Sequence, residues 1–354
     1  MYMGDNTLKI NKIPALTWNW LKMNDAAVMV PSETTGKKEP VIVTPDEITV
    51  MKEASDHASH IPGGMGDEFE KDLHKKADGT LVFSSEEGKC ISKPVVVSCE
   101  YEEGAVTADR YMVRAGKGSR ISMLIDFSSD KNAGGFAMAQ TVVEAEADSI
   151  VKIVQINRLG NEFTLLNDVA AVAHEGATIE IVNVFLGGKE TYQGCRIDLS
   201  GTGSGVKKDI GYFLKGSQKL DMNYVVDHKG KKSNSDIKVS GVMEGESEKL
   251  FRGTIDFKNG CAGAKGAEIE EVILRDDGVV NKTIPVILCA EEDVEGSHGA
   301  TIGRLDEDLI FYMQTRGFEE EEIYRLISRS KLVSFCDKIL DEDIRNKTMT
   351  FLSE

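Results

Sequence analysis

The sequence predicts a mainly β protein, a right-handed parallel β-helix (a solenoid) followed by a small C-terminal α-helical domain. Three observations indicate this class. Small residues recur in the middle of the chain at intervals of 27 to 32 residues, which is typical of a repeat architecture. Each is followed by alternating aliphatic and polar residues, as in a strand with one buried and one exposed face. Residues 305–354 instead carry apolar side chains at helical spacing.

Six anchor positions define the repeat, and each holds a small residue. The anchors are Ser119, Ser149, Ala177, Ser204, Ser235 and Ala267. The aliphatic residues two positions further on are Ile121, Val151, Ile179, Val206, Ile237 and Ile269. A second apolar column, four residues after each anchor, holds in four of the six units. The polar residues between the two columns, expected to face outward, are Ser122, Lys152, Glu180, Lys207, Lys238 and Glu270.

In a solenoid, each turn stacks its aliphatic residues on those of the turn below, and parallel strands joined by crossovers form a right-handed coil. An ordinary β-sandwich with evenly spaced strands is the alternative. Sandwich strands usually recur every 8 to 12 residues or so, without a superperiod near 30. The long period therefore favours the solenoid.

The chain is expected to divide into three regions: a short, partly helical N-terminal region at 1–75, the parallel β-helix core at 76–304, and the helical domain at 305–354. In the last region, Asp306 is expected to cap a helix that runs from Leu309 to Arg316 and stops at Gly317. A second helix should open at the glutamates of 319–322. Its apolar stripe is too broad for a two-helix unit to bury alone, so we expect it to pack on the solenoid end or on another protein.

The composition excludes several classes of function. The 354 residues contain 42 Lys and Arg against 59 Asp and Glu, giving a formal net charge of −17, which disfavours nucleic acid as a partner. No apolar run approaches the roughly 18 to 20 residues of a membrane-spanning helix, and no secretory signal is visible at the N-terminus. The six cysteines form no CxxC pair, which disfavours a disulfide scaffold or a local zinc motif. We therefore expect a cytoplasmic protein.

Five sequence motifs, in this order, are typical of one family. They are Tyr224-Val225-Val226-Asp227-His228, Phe251-Arg252-Gly253, Ser297-His298-Gly299-Ala300-Thr301-Ile302-Gly303, Leu305-Asp306-Glu307-Asp308 and Phe311-Tyr312-Met313-Gln314-Thr315-Arg316-Gly317. With them the chain resembles the SufB/SufD family of iron–sulfur cluster assembly scaffolds, nearer to the SufD side. The resemblance implies a parallel β-helix followed by a small helical domain, in agreement with the periodicity.

The resemblance also implies that the chain is not an enzyme. It would be a SufD-like subunit that pairs with a SufB-like partner, or with itself as a dimer, through the β-helix. Its C-terminal helices would dock the SufC-type ABC ATPase of the family. No intrinsic cofactor is expected, although an iron–sulfur cluster or iron could reside transiently at a subunit interface.

Several site residues follow from the same resemblance. His298 matches the SufD-type interface histidine and is a candidate ligand of iron or of a cluster, because imidazole suits iron. Cys289, near the end of a predicted strand, is a weaker candidate. The residues expected to bind the ATPase are Asp306, Tyr312, Arg316, Gly317, Phe318 and Tyr324.

The chain departs from the family pattern at three positions. Gly296 stands where SufD-type chains often carry cysteine, and Gly299 stands where SufB-type chains carry glutamate. The SufB-type cysteine would fall near Val279. Two other hypotheses stay open: a β-helix carbohydrate-active enzyme, and a homodimeric structural scaffold without a role in cluster assembly.

Overall fold

The computed structural model of the chain describes residues 6–36, 38–54 and 61–353. In these residues it forms twenty strands and four α-helices. The strands are β1 (Asn6–Ile10), β2 (Ala26–Val30), β3 (Val41–Val43), β4 (Thr49–Glu53), β5 (Thr80–Ser85), β6 (Val95–Tyr101), β7 (Ala105–Ala115), β8 (Arg120–Ser129), β9 (Gly134–Ala145), β10 (Ile150–Arg158), β11 (Glu162–Ala173), β12 (Thr178–Phe185), β13 (Glu190–Leu199), β14 (Gly205–Leu214), β15 (Lys219–His228), β16 (Asn234–Met243), β17 (Glu248–Phe257), β18 (Ala264–Leu274), β19 (Val280–Cys289) and β20 (Val294–Gly303). The helices are α1 (Asp67–Lys76), α2 (Glu307–Thr315), α3 (Glu320–Cys336) and α4 (Glu342–Ser353).

The strands from β5 to β20 alternate between two nine-stranded sheets, and within each sheet they pair in parallel. Sheet I has the order β3-β6-β8-β10-β12-β14-β16-β18-β20. Sheet II has the order β4-β5-β7-β9-β11-β13-β15-β17-β19. The short strands β3 and β4 join antiparallel at the N-terminal end of the two sheets. The predicted parallel β-solenoid is confirmed, with about eight turns.

The strand register confirms the first four anchors and corrects the last two. Ile121, Val151, Ile179 and Val206, which follow the first four anchors, lie side by side on consecutive strands. The next strand is displaced: Ile237 pairs with Lys208, two residues beyond Val206. Ile237 stays buried because a shift of two residues keeps the face of a strand, whereas a shift of one reverses it. Ile269 pairs with Lys238 on the outer face and is 48% exposed, so the prediction that it is buried is wrong.

Aliphatic and aromatic side chains from both sheets fill the space between them, which we call the lumen. The outer face of sheet II is covered by N-terminal elements, with Leu8 of β1, Val28 of β2 and Phe69 of α1 packed on it. The glycine-rich segment before α1 is fastened to the same face by Asp168, whose Oδ1 accepts hydrogen bonds from the backbone N–H groups of Gly64 (2.8 Å) and Met65 (3.0 Å). These N-terminal elements therefore stabilise the solenoid from outside.

The C-terminal region contains three helices, not the two predicted, because α4 forms a separate element after α3. These helices pack on the flank of the solenoid, over the outer face of sheet I, whereas the sequence suggested the solenoid end or another protein. Leu332 and Phe335 of α3 bury apolar side chains of sheet I such as Val182. The apolar residues on the outer face of sheet I were not recognised in the sequence, because the alternating pattern predicts that one face of each strand is buried and the other is exposed to solvent.

The predicted helix signals are observed at both ends of α2. The Asp306 carboxylate accepts a hydrogen bond from the Leu309 backbone N–H (3.0 Å), as expected for an N-cap. Gly317 follows the helix with a φ of 92°, a left-handed conformation that glycine adopts without a steric penalty. No helix in the described part of the chain is long and apolar enough to cross a membrane.

Candidate functional site at the open end of the solenoid

The last turn, formed by β19 and β20, is the most exposed part of the solenoid. β19 pairs only with β17 and β20 only with β18 among the described strands, so each presents one backbone edge without a strand partner. No described part of the chain forms a turn above the lumen-facing side chains of this turn, and Ile287 and Ile302 are 36% and 40% exposed. Long exposed strand edges are the surfaces onto which another chain can add a strand.

His298 lies on this turn. It pairs in register with Glu268 of β18, which is buried in the lumen, and in-register neighbours of a parallel sheet face the same side. The His298 side chain therefore lies on the open end of the lumen, where it is exposed. Cys289 pairs with the buried Phe257 and lies on the same end of sheet II, with its thiol 3.0 Å from the Glu291 carbonyl oxygen.

A charged network lies directly beneath this turn and was missed in the sequence. Lys249 and Glu270 form an ion pair whose two side chains are almost fully buried. Thr283 completes it, accepting a hydrogen bond from Lys249 Nζ (2.9 Å) and donating one to Glu270 Oε2 (2.8 Å). Burial lowers the pKa of Lys249. The sequence pattern assigned Glu270 to the outward column, and this is wrong because of the register shift at Ile269.

Glu268 is a second buried carboxyl group in the same network. Burial, together with the nearby charge of Glu270, raises its pKa to about 7. Its side chain lies over Gly253, where a Cβ atom would be 1.9 Å from Glu268 Oε2. This close approach explains why the Phe251-Arg252-Gly253 motif ends in glycine.

Deeper in the lumen, a polar chain crosses the apolar core. Gln155, Asn167, Asn183 and Gln193 are linked by side-chain hydrogen bonds of 2.7–2.9 Å between successive amides. Lys208 donates to Asn183, and burial lowers its pKa to about 8. The interruption of the second apolar column at Lys208 was the only sequence signal for this chain.

Cys195 lies beside this polar chain and is fully buried. Burial is the largest influence on its thiol and raises its pKa to about 11, although the charge of Lys208 acts in the opposite direction. At neutral pH the thiol is therefore protonated, and a protonated thiol is a weak nucleophile and a weak metal ligand.

Two other residues of the family motifs have structural roles. Both ring nitrogens of His228 lie within hydrogen-bond distance of serine hydroxyls, at 2.8 Å from Ser233 and 2.9 Å from Ser235. Burial lowers the pKa of His228 to about 4, so the ring is neutral in the fold. Arg252 is fully buried and forms a bidentate ion pair with Asp221 (2.6 and 3.2 Å).

The residues predicted to bind the ATPase differ in exposure. Tyr312 is 53% exposed, and the Arg316 guanidinium lies over its ring at 5.1 Å. Asp306, Gly317 and Phe318 are also exposed. Tyr324 is only 6% exposed because it packs on sheet I with Arg275 over its ring (5.6 Å).

Phe311, which belongs to a family motif but was not predicted as a binding residue, is 68% exposed on the same helix as Tyr312. The helix α2 buries none of its own side chains. It therefore presents a compact aromatic surface on the flank of the solenoid.

Comparisons with known proteins show which family this chain is similar to. The family model described as SUF system FeS cluster assembly, SufBD core domain, matches residues 98–331. An iron–sulfur cluster assembly SufBD family protein of Mycobacterium leprae is 23% identical over 255 residues, which are 70% of this chain and 64% of the relative. A SufBD family protein of Mycobacterium bovis is 23% identical over 255 residues, 69% of this chain and 63% of that relative. The iron–sulfur cluster assembly protein SufD of Bacillus subtilis is 25% identical over 138 residues, 39% of this chain and 32% of SufD.

The fold is thus that of a parallel β-solenoid flanked by helices, and the matched region is well over half of the chain. The chain belongs to the SufB/SufD family of iron–sulfur cluster assembly proteins. SufD is among its relatives, in agreement with the predicted SufD side of the family. In each of these three comparisons the chain spans less than two thirds of the relative's length.

Proposed function

We propose that the chain is a SufD-like, non-enzymatic subunit of a cytoplasmic iron–sulfur cluster assembly complex. It would pair with a SufB-like subunit through the open end of its solenoid. The single observation that carries this proposal is the exposed last turn, where two strand edges and the lumen-facing side chains of β19 and β20 lie open together. A partner β-helix that adds its own strands here would extend both sheets and cover these side chains.

The alternatives make different use of the same molecule. A homodimer would use the open turn twice, around a two-fold axis. A carbohydrate-active enzyme would need charged groups along an outer groove. The charged group beneath the open end, Lys249, Glu268 and Glu270, is buried in the lumen and does not line an outer groove, which favours an interaction protein.

Co-purification tests the proposal. The tagged chain, expressed in its own host, is expected to retain a SufB-like protein and an ABC-type ATPase. Recovery of the chain as a stable homodimer without either protein would contradict the pairing and favour the homodimeric scaffold.

The nascent cluster would be cargo at the interface and not a resident cofactor. Imidazole and thiolate both bind iron, and the chain offers His298 and Cys289 on its last turn. Because glycine and valine stand at 296 and 279, we propose that the remaining ligands come from the SufB-like subunit.

Replacing His298 with alanine is expected to lower the rate of cluster formation in the reconstituted complex by at least about tenfold, as for the loss of a metal-ligand contact. The side chain is exposed in the chain alone, so its melting temperature should not change. Cluster formation is followed by visible absorption, with Ser297→Ala as the control on the neighbouring exposed position. An unchanged rate in His298→Ala would contradict a ligand role.

We propose that the ATPase docks on α2. Phe311 and Tyr312 are large, exposed aromatic side chains on a helix that is ordered by its cap and by α3. Aromatic side chains of this kind are frequent binding hot spots in protein interfaces. Tyr324, predicted for the same surface, would act indirectly by holding α3 against sheet I.

The double variant Phe311→Ala/Tyr312→Ala is expected to weaken ATPase binding by about 30-fold or more, equivalent to the roughly 2 kcal/mol of a hot spot. Binding is measured by calorimetry with the purified ATPase. Met29→Ala is the matched control, because Met29 is equally exposed on β2 over the opposite sheet. Wild-type affinity in the double variant would exclude α2 as the docking surface. Deleting residues 305–354 is a poorer test, since it would also uncover the apolar face of sheet I.

A further inference from the structure

Away from the open end, three side chains that can bind a metal meet at one corner of the solenoid. They belong to Glu144, Glu146 and His174, and one ligand atom of each lies within 4.8 Å of the other two. Glu144 and His174 are half-buried, whereas Glu146 is exposed. Among the described residues, this is the one such group of three.

The solenoid holds these residues in consecutive turns. Glu144 is near the end of β9, Glu146 follows in the corner, and His174 occupies the equivalent corner after β11. The two strands remain in register up to Ala145 and Ala173. The corners continue this pairing, because the His174 N–H donates to the Ala145 carbonyl (3.0 Å) and the Glu146 N–H donates to the Ala115 carbonyl (3.0 Å). The backbone therefore holds the three residues in neighbouring positions before any ion binds.

The charges of this corner are only partly compensated. Arg114 Nε lies 3.5 Å from Glu144 Oε2, but the guanidinium is engaged by Glu53, at 2.7 and 3.4 Å. Within the described part of the chain, no hydrogen bond or ion pair occupies the side chains of Glu146 and His174. Ligand atoms of one imidazole and two carboxylates thus lie close together, and of the three residues only Glu144 has a cationic partner in the described part of the chain.

We propose that Glu144, Glu146 and His174 bind a first-row transition-metal dication, with Zn²⁺ as the probe. Imidazole and carboxylate are its usual nitrogen and oxygen ligands, and three protein ligands leave a position for water. Mg²⁺ and Ca²⁺ prefer sites made of oxygen alone. The bonds to Zn²⁺ are about 2.0–2.2 Å, so the two flexible glutamates would move inward to complete the site. The ion would tie two consecutive turns together and stabilise the solenoid by mass action.

Titration of the full chain with Zn²⁺ tests this site. His298 and the exposed Cys90 and Cys289 are first replaced, as His298→Ala, Cys90→Ser and Cys289→Ser, because they could bind Zn²⁺ themselves. Calorimetry is then expected to show one equivalent bound, with a rise in melting temperature that excess Mg²⁺ does not reproduce. X-ray absorption should show imidazole and oxygen ligands and no sulfur.

Adding His174→Ala to this background is expected to weaken Zn²⁺ binding by at least about tenfold and to abolish the rise in melting temperature. Glu175→Gln, next to the site but outside it, is the control and should leave both unchanged. Equal Zn²⁺ affinity with and without His174, or no binding to the background chain, would overturn the proposal. Because the readouts are binding and stability, the outcome is independent of the proposed role in cluster assembly.

Discussion

Replacing Arg252 with alanine is expected to lower the free energy of unfolding by about 3–5 kcal/mol, as for other buried ion pairs that lose one partner. The Arg252 guanidinium is fully buried and binds both oxygens of Asp221, and its Nε donates to the Met23 carbonyl (2.6 Å). Asp221 also accepts a hydrogen bond from Asn11 (2.7 Å). Without the arginine, a carboxylate and a carbonyl would stay buried without their cationic partner. The loss is measured by urea unfolding.

Two further variants separate this effect from a general loss of charge. Lys265→Ala breaks a solvent-exposed ion pair with Glu295 near the same end of the solenoid and should cost no more than about 1 kcal/mol. Arg252→Met combined with Asp221→Leu removes both charges and should recover much of the lost stability. If Arg252→Ala lowered the free energy of unfolding as little as Lys265→Ala does, this would contradict the structural role given to the Phe251-Arg252-Gly253 motif.

The double variant Ile287→Lys/Ile302→Lys is expected to weaken pairing with a SufB-like subunit by more than about 100-fold. Both side chains lie on the open turn and would be covered by a partner. Burying two unpaired ammonium groups costs several kcal/mol, and each 1.4 kcal/mol is a factor of ten in affinity. Since both positions are partly exposed in the chain alone, its melting temperature should change little. Pairing is measured by analytical ultracentrifugation.

The matched control lies at the opposite end of sheet I. Val41 and Val43 of β3 are both exposed, and Val41→Lys/Val43→Lys places the same charges on the other terminal strand. This control should pair like the wild type. Loss of pairing in the control, with pairing retained in Ile287→Lys/Ile302→Lys, would move the interface to the N-terminal end.

The repeat architecture could be predicted because the pattern that defines each turn lies within a few consecutive residues of the sequence. A buried small residue and the aliphatic residue two positions later recur on four consecutive turns, and these four anchors stand in register. The last two anchors failed because the turn length changes there, and alternation alone cannot detect a shift of register. For Ile237 the shift of two residues kept the same face, whereas the shift at Ile269 reversed it.

The candidate site was predicted only in part for the same reason. His298 was found through the family resemblance, and it is exposed because the described part of the chain places no further turn above β20. Glu268, Glu270 and Lys249 have charged side chains, which a sequence pattern assigns to the surface. Their burial depends on a network that joins the two sheets across the lumen. The third C-terminal helix, α4, was missed because its apolar side chains pack over the outer face of sheet I, and this face was not recognised as apolar in the sequence.

Site-specific cross-linking tests the central claim, that the open turn is the pairing surface, most directly. A photoreactive amino acid is placed at Ala300, an exposed lumen-facing position of β20, and separately at Val41 on β3. The complex isolated from the native host is irradiated and analysed by mass spectrometry. We expect position 300 to cross-link to a β-helix strand of a SufB-like subunit and position 41 to give no such product. A cross-link to that subunit from position 41, with none from position 300, would contradict the account.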